Sequence, residues 1–106
     1  MGVFDRRFNP TEAKVNLLWR EATDKVIVWD EDGRATAASA AARLDYIRSH
    51  GKLVVISAEN PNAYSKEALG WLQARMDESD YCILGDYFYF NERFQNTAFE
   101  FRLLFS

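Results

Sequence analysis

A chain of 106 residues has room for one hydrophobic core, and with 48% apolar and 15% aromatic residues it has the material to fill it, which excludes a disordered segment. A formal charge of −3 argues against general nucleic-acid binding, because neutralising a phosphate backbone takes a concentrated basic surface. The single cysteine, Cys82, cannot form an internal disulfide, and no apolar run has the length of a signal-peptide core or a bilayer span, so the expectation is a cytoplasmic domain with no membrane role.

Met1 to Phe8 shows no usable periodicity, and Arg6 and Arg7 between Phe4 and Phe8 read as an N-terminal arm. Asn9-Pro10-Thr11-Glu12 is a helix start, with Asn to accept from free amides, Pro at the first helical position and Glu12 where a capping box places it. Val15, Leu18, Trp19 and Ala22 then repeat at helical spacing. The continuous apolar run Val26-Ile27-Val28-Trp29 predicts a strand covered on both faces, and Asp30-Glu31-Asp32-Gly33 a turn after it. A second helix is predicted from Thr36 to Ser49, with Ala37, Ala40, Ala41, Leu44 and Ile47 on one face, Gly51 as its left-handed cap and His50 interacting with the negative end of the helix dipole.

Leu53-Val54-Val55-Ile56 reads as a second buried strand, and strand, helix, strand at this spacing predicts parallel neighbours. After a loop from Ala58 to Asn62, Ser65 is placed to cap a third helix, Lys66 to Glu78, with Leu69, Leu72 and Met76 inward and Trp71 either packed or free for a partner. Tyr81 to Leu84 is a third strand, Gly85-Asp86 a break, and Tyr87 to Phe90 extended again. The alternation of Phe99, Phe101, Leu103 and Phe105 with Glu100 and Arg102 predicts a last, half-buried strand. The expected fold is α/β: a mixed sheet of four to five strands, with a parallel centre and antiparallel C-terminal strands, packed with three helices.

In such sheets ligands bind beyond the carboxyl ends of the parallel strands. The residues expected there are Asp30, Glu31, Asp32, Ser57, Glu59, Asn60 and Asp86, and the carboxylates of Asp30 and Asp32 have the spacing to share one hard cation such as magnesium. The run from Val26 to Gly33, with Val54 to Ser57 downstream, resembles the first two motifs of haloacid dehalogenase-type phosphatases. That resemblance implies Asp30 as nucleophile, Asp32 as general acid and base, and Ser57 as a phosphate contact. The same segment is similar to the Asp-x-Asp strand end of Toprim domains, which implies magnesium held by Asp30 and Asp32. Arg34 and Ala35 depart from the two patterns.

The competing expectation, and the one the sequence favours over an enzyme, is a small acidic protein-protein interaction module. It would act as inhibitors, immunity proteins or phage-type anti-defence proteins do, on a partner with a basic surface. Tyr87, Tyr89 and Trp71, with the acidic residues Asp77, Glu78 and Asp80, are its candidate interface. An exposed edge strand would also allow a homodimer. Phosphoryl transfer at Asp30 and Asp32 is the alternative.

Overall fold

The computed structural model describes residues 8–58 and 60–105, so the Arg6 and Arg7 arm and Glu59 lie outside the described residues. Helix α1 covers Pro10–Val26, α2 Ala37–Gly51, strand β1 Leu53–Ser57, α3 Lys66–Gln73, β2 Tyr81–Leu84, β3 Tyr87–Asn91 and α4 Gln95–Phe105. The three strands form one antiparallel sheet in the order β1-β3-β2. Among the described residues there is therefore no parallel centre, the sheet is smaller than expected, and the α-helices are four.

Two predicted strands are absent from the sheet. Val26 lies four residues beyond Ala22 and continues the Val15, Leu18, Ala22 stripe, so it ends α1 half-buried against the α2 side of the core. Only Trp29 of that run makes a bridge, to Ala35. At the C-terminus, the period-two pattern of Phe99, Phe101, Leu103 and Phe105 competes with a helical one: Phe94, Ala98, Phe101 and Phe105 recur at i, i+4, i+7 and i+11. The helical stripe prevails, burying Ala98 and Phe101 fully and packing Phe94 and Phe105 against them. A short apolar run carries both periods, and the partner surface decides between them.

The sheet is sandwiched between two pairs of helices. On one face Leu53, Val55, Cys82 and Tyr89 pack with Val15, Leu18, Ala22 and Ile47 of α1 and α2. On the other, Ile56, Tyr81, Phe88 and Phe90 pack with Ala68 and Leu72 of α3 and with Ala98 and Phe101 of α4. β3 is central, so consecutive aromatics along it point alternately into the two cores, and Phe88, Tyr89 and Phe90 are all fully buried.

The N-cap signals of the helices act as read, but α3, expected to reach Glu78, ends at Gln73, and Ala37 and Ala41 of the expected apolar face of α2 are exposed. Asn9 Oδ1 accepts from the Glu12 amide at 3.1 Å, Thr36 Oγ1 from Ser39 at 3.3 Å and Ser65 Oγ from Ala68 at 3.1 Å. Gly51, by contrast, is not the left-handed cap. Lys52 takes that conformation at φ 52°, and Gly51 is the last helical residue, where the lack of a side chain matters because a Cβ would lie 2.8 Å from methyl carbons of both Leu18 and Leu53. The His50 ring stacks on Tyr46, with centroids 3.9 Å apart, and its Nδ1 lies 3.0 Å from the Tyr46 carbonyl oxygen.

A polar junction fixes α1 to the sheet. Asn9 Nδ2 donates to the carbonyls of Glu78 at 2.8 Å and Tyr81 at 3.1 Å, and Thr11 Oγ1 donates to Ser79 at 2.6 Å. Asp80, nearly buried, accepts from Arg93 at 2.7 Å and from Asn91 at 3.3 Å.

Candidate binding surface

α1 and α2 form an antiparallel hairpin, clamped where the Arg43 guanidinium lies 3.8 Å from the centre of the Trp19 ring and donates to Thr23 Oγ1 at 3.2 Å. Lys14 Nζ closes the open end of the pair on the Gly51 carbonyl at 3.0 Å. At the other end the chain turns through Val28 to Thr36. Thr36 N donates to the Val28 carbonyl at 2.9 Å, Asp30 N to Arg34 at 2.7 Å and Gly33 N, at φ 77°, to Asp30 at 3.0 Å. The Asp30 carboxylate completes the turn, its Oδ1 accepting from the amides of both Asp32 and Arg34 at 2.9 Å.

This turn carries large apolar side chains into solvent: Val28 is 60% and Trp29 58% exposed. Glu31 and Asp32 are exposed beside them, and no side-chain hydrogen bond or ion pair among the described residues engages either carboxylate. A tryptophan on a chain fixed by five hydrogen bonds within the turn is preorganised, so little conformational freedom is lost when a partner closes on it. Tryptophan in such a position is the residue type most enriched among interface hot spots.

The other sequence-derived candidates are dispersed. Asp30 and Asp32 sit on this turn, outside the sheet, while Ser57 ends β1; the common rim that magnesium or phosphate binding required does not form, because Val26–Trp29 is not a strand of the sheet. Ser57 does share the sheet's end with Asp86, whose carbonyl accepts from the Ala58 amide at 2.6 Å, and Asn60 Oδ1 accepts from Asn62 at 3.0 Å. Among the described residues no group of three or more His, Cys, Asp or Glu is placed to hold a metal ion.

Of the expected interface, Tyr89 is fully buried and Asp80 nearly so. Trp71 is half-buried, its ring against Phe101 and Phe105 at 6.1 and 6.0 Å, with the Arg75 guanidinium 4.1 Å from its centre. Asp77 and Glu78 are exposed beside Phe8 and Glu12. Tyr87 is half-buried, lining a hollow with Val15, Trp19, Leu84 and Tyr89; at about 260 Å³ it is smaller than the cavities that usually enclose small ligands. Burial pushes the Tyr89 hydroxyl up to about 12, aided by Cys82 and Tyr87, and pushes the Cys82 thiol up to about 12, aided by Glu12, so neither is an activated group at neutral pH.

The surface residues that sequence reasoning missed are Val28 and Trp29, assigned to a buried strand, and Phe99 and Leu103, assigned to the buried face of another. For the first pair a signal was present: Trp29 is followed at once by Asp-Glu-Asp-Gly, the composition of a solvated turn. No family model matches this sequence, and neither a curated protein nor a solved structure matches it. No helix among the described residues is long and apolar enough to cross a membrane.

Proposed function

We propose that this protein is a binding module that acts by occupying the surface of a partner protein, in the manner of inhibitors, immunity proteins and phage-encoded antagonists of host defence. The observation that carries this reading is the braced turn at the tip of the α1-α2 hairpin, where Trp29 and Val28 stand in solvent next to the exposed Glu31 and Asp32. The partner surface that fits has an apolar pocket for the indole and basic residues around it, since Glu31 and Asp32 would otherwise be desolvated without compensation. The overall charge of −3 supports the same polarity of encounter.

The test is capture from the host lysate by the wild-type chain and by Trp29→Ala, which removes an exposed side chain and leaves both cores intact. The expected outcome is a specific partner whose recovery falls at least tenfold with Trp29→Ala, and whose association slows as salt is raised from low to physiological concentration. A partner retained equally by both proteins, or held equally in high salt, would refute the assignment of the tip as the recognition element.

A further inference from the structure

The hollow between α1 and the β2-β3 hairpin has fixed walls. The hairpin turns at Gly85, at φ 59°, and is braced from the far side: Tyr64 Oη donates to the Gly85 carbonyl at 3.2 Å and the Ala58 amide to the Asp86 carbonyl at 2.6 Å. Nothing lies within 4 Å of the place a Gly85 Cβ would take, so open space adjoins the turn. Val15 and Trp19, one helical turn apart, form the α1 wall, and the Arg43 guanidinium stacked 3.8 Å from the Trp19 ring centre holds the indole in place. Leu84, Tyr87 and Tyr89 form the sheet wall, and Asn16 and Asp86 add the polar groups.

Tyr89 is fully buried and yet is part of this lining, and among the described residues no hydrogen bond engages its hydroxyl. A buried phenol in that position carries the cost of desolvating its O–H without the return of a partner. Burial, aided by Cys82 and Tyr87, holds the proton on it up to about 12 against the charge of Arg43, so at neutral pH the group is a donor. The Arg43 charge that reaches the hydroxyl also favours an electron-rich atom there, while the Asp86 carboxylate in the same hollow disfavours a full anion. The volume sets the size of what fits. About 260 Å³ is less than a drug-sized molecule needs, but more than the roughly 150 Å³ of an apolar cavity that takes benzene. The rings of Trp19, Tyr87 and Tyr89 favour a flat aromatic occupant over an aliphatic one.

We propose that this hollow binds a free, neutral, single-ring aromatic molecule carrying an accepting oxygen, of which a phenol is the simplest. The ring packs against Trp19 and Tyr87, and the oxygen accepts from the Tyr89 hydroxyl. Apolar contact supplies most of the affinity, and the hydroxyl supplies the preference for an oxygen-bearing ring. The site lies apart from the Trp29 tip, and each can fail without the other.

The experiment is NMR titration of the full chain with p-cresol, toluene and benzoate, following the Trp19 indole N–H and the Leu84 methyl groups, in the wild type and in Tyr89→Phe. The wild type is expected to show saturable shifts with p-cresol and weaker binding of benzoate. Tyr89→Phe should weaken p-cresol about fivefold and leave toluene unchanged or tighter, since only the donor is lost. Its melting temperature should not fall, because the hydroxyl it removes has no partner in the fold. Absence of saturable p-cresol shifts at Trp19 and Leu84 overturns the proposal, as does a Tyr89→Phe protein that loses both ligands equally or binds p-cresol as the wild type does. Benzoate bound as tightly as p-cresol overturns it on the wild type alone, which decides the matter if Tyr89→Phe does not fold.

Discussion

Cys82 and Tyr89 face one another across β2 and β3 in the core beneath α1 and α2, and their protons are held by burial. The folded protein keeps the Cys82 proton up to about 12, whereas an unfolded chain releases it near the ordinary value of 9.0. Between those limits the native state binds more protons than the unfolded one, so stability is whole below pH 9 and falls as pH rises toward 12. Urea midpoints measured from pH 7 to 11 should show that decline, and Cys82→Ala should make it shallower while lowering stability at neutral pH through the lost packing. The Cys82 thiol of the native protein should also resist thiol-specific reagents until the fold opens.

The helices show how sequence rules depend on what surrounds a residue, and the two helical glycines separate the cases. Gly70 sits in α3 with nothing within 4 Å of the place its Cβ would take, so Gly70→Ala should gain about 0.5–1 kcal/mol from the stiffer unfolded chain and the better helix former. Gly51 ends α2 against Leu18 and Leu53, so Gly51→Ala should lose about 1–3 kcal/mol by overpacking. Thermal unfolding of the pair, with opposite shifts, checks both. Much of the element level was legible: the caps Asn9, Thr36 and Ser65, and the strands β1, β2 and β3, are where the local chemistry put them, because capping and turn formation are short-range. Val26–Trp29 and 97–105 were not: Val26 continues the stripe of α1 while Val28 and Trp29 join the turn that follows, and 97–105 carries an apolar pattern that suits a strand and a helix alike, of which Phe88 and Phe90 beside it select the helix. The candidate site failed with the first of these assignments, since a carboxylate turn beyond a helical hairpin cannot share a rim with Ser57.

For the whole molecule, the strand order β1-β3-β2 carries a consequence for synthesis. Both other strands find their hydrogen bonds on β3, the last strand in the chain, so during synthesis neither has a mate until Asn91 has left the ribosome. α1 and α2 can already be docked by then, and a chain truncated after Leu84 should show helical circular dichroism yet melt without a cooperative transition. Translation therefore completes the sheet in a single late step, and nascent chains stalled short of that point present bare strands to whatever chaperones or proteases wait at the exit tunnel.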